Sequence, residues 1–203
     1  MNNKKDLLLD VDEVIVFSGF LEAVNAFLNT SYEIDDFKDY YIDSVAIPPE
    51  RMGEFNNFLR SWNLYKDASP LPHATEVLKR LSKYFNIYIL TSCVNEHDIE
   101  GSGKIFLDKY TFLVNALPFI NPKNFIFTGS KHLFKAYAKI DDLITNFSPR
   151  ESIEVKILFP SYHNKDISDN ELNSMGITRA GFDWRTGWLE VEKILMEKID
   201  RDI

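Results

Sequence analysis

Five short apolar runs, each bounded by polar residues, punctuate the chain at 7–11, 86–90, 124–128, 138–140 with two trailing acids, and 155–159. Continuous runs of this length, rather than alternating ones, suit strands buried on both faces, so they predict a parallel sheet. Between them, residues 74–84 place Val77, Leu78 and Leu81 at helical spacing, with Lys79, Arg80 and Lys83 on the other side. Residues 103–117 and 188–198 read the same way. Strands alternating with helices imply right-handed crossovers and an α/β, doubly wound sheet of about five strands. The rhythm breaks over 17–72, where two or three aromatic-rich helical segments end at Pro48-Pro49 and at Pro70 and Pro72, with no strand. That interval predicts a small helical cap inserted after the first strand, with 1–16 and 73–203 forming the sheet core.

Composition narrows the class. The 203 residues are 45% hydrophobic and 27% charged, which fits a globular chain and excludes wholesale disorder. A net charge of −8 gives no pull toward nucleic acid or anionic lipid. It would also repel a phosphorylated substrate unless a local cation offset the field. Lys4 and Lys5 precede Leu7-Leu8-Leu9 in the manner of a signal peptide, but Asp10, Asp12 and Glu13 interrupt the run. No stretch approaches the roughly 18 apolar residues of a membrane helix. Cys93 is the single cysteine, so no intramolecular disulfide forms and a reducing, cytoplasmic setting is expected.

Chemistry in such sheets gathers at the carboxyl ends of strands. Four ends carry telling residues: Asp10 and Asp12 after the first, Thr91-Ser92 after the second, Lys131 beyond the third, and Asp141-Asp142 after the fourth. Carboxylates crowded at one crevice repel one another unless a hard cation such as Mg²⁺ takes their oxygens together with a substrate phosphate. One aspartate can then attack phosphorus, a second can protonate the leaving oxygen, and the hydroxyl and ammonium can hold phosphoryl oxygens. The set reads as a phosphoryl-transfer site. Each signal has a plainer reading, since Thr91-Ser92 suits a helix cap and Asp141-Asp142 could cap residues 143–147, but their order along the chain favours the site. Lys123 precedes its strand and belongs at the opposite edge. Glu13 is expected in an exposed structural role and Cys93 as an inert thiol. His73, His97, His132 and His163 lack metal-ligand spacing, which disfavours zinc. Gly101-Ser102-Gly103-Lys104 lacks the remaining positions of a phosphate-binding loop.

Asp10-x-Asp12 after an apolar strand, Thr91, Lys131 and Asp141-Asp142 resemble the four ordered motifs of the haloacid-dehalogenase superfamily. Within it the chain is similar to the 5′(3′)-deoxyribonucleotidases, through Pro70-Leu71-Pro72-His73-Ala74, the spacing from Lys131 to Asp141-Asp142, and Phe159-Pro160-Ser161-Tyr162-His163-Asn164. The resemblance implies a Rossmann-like core with a cap after the first motif. It implies Asp10 as nucleophile and Asp12 as general acid/base, with Mg²⁺ held by Asp10, Asp12 through its backbone carbonyl, and Asp142, oriented by Asp141. Thr91, Ser92 and Lys131 would bind phosphate. The implied substrate is a small phosphorylated metabolite, a (deoxy)nucleoside monophosphate, with no nucleic-acid or membrane partner, and a homodimer is compatible with it. Aromatic residues at the boundary of cap and core hold the base in that family, which nominates Phe17, Phe20, Trp62 and Tyr65. The other cap aromatics are assigned to a core of the cap's own. Three positions depart from the pattern: Glu13 and His73 stand where glycine is usual, and Leu143 where arginine is common. A phosphatase or phosphomutase for a non-nucleotide ester, or a non-catalytic binding module, remains the alternative, although neither nucleophile nor metal ligand is missing.

Overall fold

In the computed structural model, which describes residues 4–148 and 152–201, six parallel strands form one sheet in the order β3-β2-β1-β4-β5-β6. They are β1 (Lys5–Leu9), β2 (Phe85–Thr91), β3 (Phe125–Phe127), β4 (Ala136–Asp141), β5 (Ile153–Leu158) and β6 (Ile177–Arg179). The most apolar run makes the central strand, where Leu7 and Leu9 are completely buried. Leu9 pairs with Ile89 on one side and Ile140 on the other, so the carboxyl ends of β1, β2 and β4 lie abreast. This register brings Asp10, Thr91 and Asp141 to one edge.

The sheet differs from expectation in two respects. It has a sixth strand, because Ile177-Thr178-Arg179 pairs with β5 through its backbone while offering only one buried apolar side chain. In addition, the 7–11 run is a strand only to Leu9; Asp10 and Val11 already belong to the turn beyond it.

Residues 17–72 fold into α1 (Phe20–Leu28), α2 (Ile42–Ala46) and α3 (Met52–Leu59), with single 3₁₀ turns at Ile34–Asp36 and Pro49–Arg51. Phe55 packs its ring against Phe20 and Phe27, with centroids 5.8 and 5.3 Å apart. Contrary to the expectation of a separate core, Ile42, Phe55 and Leu59 join the same apolar cluster as Leu7, Leu9 and Ile140. The apolar interior of these helices is therefore continuous with the core of the sheet.

The remaining helices are α4 (Ala74–Leu81), α5 (Ser102–Ala116), α6 (Asp169–Ser174) and α7 (Trp184–Arg201). α4 buries Ala74, Val77, Leu78 and Leu81, the stripe its periodicity predicts. His73, just before it, takes the left-handed conformation with φ of 66°, which explains why glycine suits that place. α7 begins earlier than the predicted 188 and buries Trp188, Val191 and Leu195. The Trp188 indole donates to the Val14 carbonyl at 2.8 Å, tying α7 to the turn after β1. Arg80 of α4 and Glu192 of α7 make a two-pronged ion pair at 2.6 and 2.7 Å.

Candidate active site

The turn after β1 supplies both leading aspartates. The Asp10 amide still bonds to the Ile140 carbonyl, after which the Val11 carbonyl accepts the amides of Val14, Ile15 and Val16. Glu13 closes this turn at φ of 60°, like His73 a side chain in a conformation that favours glycine. The turn delivers Asp10 to Lys131 and Asp12 to Lys109.

Lys131 lies in a single 3₁₀ turn beyond β3 (Lys131–Leu133) and is buried. Its Nζ stands 2.5 Å from Asp10 Oδ2 and 3.0 Å from Asp141 Oδ2. Burial works against the ammonium, but the two carboxylates outweigh it and hold its pKa above the usual lysine range. Asp141 Oδ1 accepts the Leu143 amide at 3.1 Å and the Asn146 side-chain amide at 2.8 Å. Asp142 Oδ2 meets His163 Nε2 at 2.8 Å, and its carbonyl accepts from Asn164 at 2.8 Å. Burial pushes both carboxyls up, Asp142 well up, with Glu13 and Asp10 adding repulsion to Asp142.

Asp10, Asp141 and Asp142 each present a carboxylate oxygen, all within 4.8 Å of one another. An all-oxygen donor set in which burial and neighbouring carboxylates raise the Asp141 and Asp142 pKa values fits a hard divalent cation. Glu13, Asp142 and His163 form a second close group within the same 4.8 Å limit. Here the imidazole bridges two carboxylates and is itself the compensating cation. Burial would lower its pKa, yet hydrogen bonds to Asp142 and Glu13 raise it to about 9.

Thr91 ends β2 and is buried. Lys109 of α5, 1% exposed, reaches Thr91 Oγ1 at 3.1 Å, Asp12 Oδ2 at 2.5 Å and the Ser92 carbonyl. Burial would lower its pKa, but the neighbouring groups, Asp12 first among them, raise it above the usual lysine value. The sequence reading missed Lys109, although a signal was present. Ile105, Lys109, Phe112, Leu113 and Ala116 recur on one helical face, so this lysine interrupts an apolar stripe.

Glu13 is not the exposed residue expected. Its carboxylate accepts from Ser161 Oγ at 2.8 Å and Tyr162 OH at 3.3 Å, and pairs with His163 Nε2 at 3.1 Å. His163 was discounted for want of ligand spacing, but it sits just beyond the carboxyl end of β5, where site residues collect. Lys123 lies at the amino end of β3, away from this edge. Cys93 is buried and its thiol is pushed up to about 11, chiefly by burial, which suits an inert role.

Beside Asp12 opens a cavity of about 430 Å³. Phe17, Phe20, Tyr40, Ser92 and Tyr65 are among its walls. Trp62 is not; its ring turns away onto Phe58, with centroids 5.2 Å apart. Tyr65 lines the cavity but spends its hydroxyl on Asp12 Oδ1 at 2.5 Å and rests its ring on Phe112 at 5.5 Å. Among the described residues no helix is long and apolar enough to cross a membrane.

Residues 4–175 match the profile of a family described as 5′ nucleotidase, deoxy (pyrimidine), cytosolic type C protein. A Staphylococcus aureus protein provisionally named 5′(3′)-deoxyribonucleotidase is 28% identical over 204 residues, 98% of this chain and 99% of that one. The 5′(3′)-deoxyribonucleotidase of Bacillus subtilis is 28% identical over 165 residues, 80% of this chain and 89% of its own. In fold, a haloacid-dehalogenase-like family hydrolase from Streptococcus pneumoniae aligns with a TM-score of 0.50 at 16% identity, across 96% of this chain and 100% of that one. The parallel six-stranded sheet with helices on its faces is the Rossmann-like fold of haloacid-dehalogenase-like proteins.

Proposed function

Since the chain belongs to the cytosolic type C 5′-nucleotidase family, we propose that it is a phosphoric monoester hydrolase that removes phosphate from deoxyribonucleoside monophosphates in the cytoplasm. The observation that carries this reading is Lys131, whose ammonium bridges Asp10 and Asp141 beside Asp142 at the carboxyl edge of the sheet. Asp10 attacks phosphorus and the P–O bond to the nucleoside breaks, leaving an aspartyl-phosphate. Asp12 gives its proton to the departing oxygen and then takes one from a water, which attacks the same phosphorus and restores Asp10. Lys131, Thr91 and Ser92 hold the phosphoryl oxygens as charge shifts onto the leaving group. Asp10, Asp142 and the Asp12 carbonyl would hold Mg²⁺, with Asp141 orienting them. That cation would supply charge neutralisation at the phosphate, alongside the Lys131 ammonium.

In this reading residues 17–72 act as the cap over a core of 1–16 and 73–203. Phe17 and Phe20, on the cavity wall, are the candidate base contacts. A cavity of about 430 Å³ is within the usual range for a site that buries a small organic ligand. The test is phosphate release with and without Mg²⁺ over ribo- and deoxyribonucleoside 5′- and 3′-monophosphates and sugar phosphates, with Asp10→Asn as blank. Preference for deoxynucleotides supports the reading; release only from non-nucleotide esters overturns its substrate; release from none overturns the activity.

A further inference from the structure

Asp12 sits on a turn and its side chain is 29% exposed, so nothing in its own loop would stop the carboxylate rotating. Two donors from separate parts of the fold grip it. Lys109 of α5 takes Oδ2 at 2.5 Å, and Tyr65, from the stretch between α3 and α4, takes Oδ1 at 2.5 Å. One donor alone would leave the carboxylate free to swing about that contact; two, on different oxygens, define its plane. A carboxyl group has about four lone-pair sites, so the two contacts leave room for the proton that Asp12 passes to the leaving oxygen.

The tyrosine is built for this contact. It is 6% exposed and its ring lies against Phe112, so packing holds its hydroxyl on Asp12. The stretch that carries it also runs on to a tie with the turn after β1, since the Leu71 amide bonds to the Ile15 carbonyl at 2.6 Å.

We propose that Tyr65 is a positioning residue for catalysis, which orients the Asp12 carboxylate toward the leaving oxygen. This rests on the phosphomonoesterase reading above. It also moves Tyr65 from the base pocket, where the resemblance placed it, to the acid/base group.

The substitution Tyr65→Phe removes one oxygen and keeps the ring packing. An alkoxide leaving group needs a positioned acid, whereas p-nitrophenolate, stabilised by its nitro group, does not. With a deoxynucleoside 5′-monophosphate, kcat should fall roughly 10- to 100-fold with KM changed by less than about 2-fold, part of the 10²–10⁴ that general acid–base catalysis contributes. With p-nitrophenyl phosphate, the single-turnover rate of p-nitrophenolate release, which reads the phosphorylation step without the later water attack that also uses Asp12, should stay within about 3-fold. In an Asp12→Asn background the same substitution should cost nothing further, because a residue acting through another has no effect once that partner is gone. Equal losses on both substrates, no loss on either, a raised KM at constant kcat, or additive losses in the double variant would each overturn the assignment. Wild-type protein inactive on both substrates would overturn the phosphatase reading and this inference with it, a result distinct from all of these.

Discussion

Lys109 Nζ lies 2.5 Å from Asp12 Oδ2, although one residue is in the turn after the first strand and the other is in the middle of α5. The same ammonium holds Thr91 Oγ1 at 3.1 Å and the Ser92 carbonyl, so one buried charge joins the ends of β1 and β2. It supplies part of the local positive field that a chain of net charge −8 needs around a phosphate.

Replacing Lys109 by Met keeps the volume on the apolar stripe and removes the charge. Asp12 is partly exposed and keeps Tyr65, so its loss of a partner is cushioned by water. A stability loss of about 1–3 kcal/mol is expected, against a fall in kcat/KM on the order of 10²-fold or more. Urea unfolding and steady-state kinetics on the same preparations check the two together.

Asp10→Asn exchanges one oxygen for a nitrogen that cannot form the acyl-phosphate. Lys131 keeps Asp141 at 3.0 Å, so the fold should persist. Turnover should fall on the order of 10³-fold or more. Phosphate release and a thermal melt measured in parallel decide the matter, and a mild effect would remove Asp10 from the nucleophile role.

His163 gives the metal-free protein a pH dependence. Its pKa is raised from 6.5 to about 9, so the protonated imidazole stabilises the fold fully below about 6.5 and loses that contribution as pH rises through about 9. The contribution is of order 1–3 kcal/mol. With a chelator present, the gap in melting temperature between wild type and His163→Gln should be widest near pH 6 and close by pH 10. A constant gap would mean that the imidazole is neutral in the folded protein.

Arg60 donates to both oxygens of Asp98, at 2.9 and 2.5 Å, and so ties the end of α3 to the loop between β2 and α5. Asp98 also accepts the Gly101 amide at 3.1 Å. Asp98→Asn should speed amide hydrogen exchange over residues 94–102 while leaving β1 and β4 unchanged. High salt should bring wild-type exchange in that loop toward the variant, since the pair is partly exposed and screened.

Gly187 sits inside α7, where alanine would ordinarily be better by about 1 kcal/mol. A Cβ there would come within 2.9 Å of both Phe159 and Pro160. Overpacking of this kind costs typically about 1–3 kcal/mol, so the clash outweighs the helix propensity and Gly187→Ala should be destabilising. A denaturant midpoint above that of wild type would show that the ring can move aside.

What the sequence determined by itself was local. Apolar runs such as Leu7-Leu8-Leu9 and 155–159 had to be buried on both faces, and the polar residues closing them had to emerge at one edge, which is enough to assemble Asp10, Thr91, Lys131 and Asp141-Asp142. Tertiary structure decided whatever depends on a partner distant in the chain. Strand β6 is held by backbone bonds to β5 that leave little trace in its side chains. Glu13 turns from a surface acid into a half-buried neighbour of Ser161 and His163, on a backbone in the left-handed conformation. Trp62 and Tyr65, equally plausible as pocket aromatics, part company because one ring finds Phe58 and the other hydroxyl finds Asp12. Periodicity says which face of an element is buried; only the packed chain says which charge waits there to meet it.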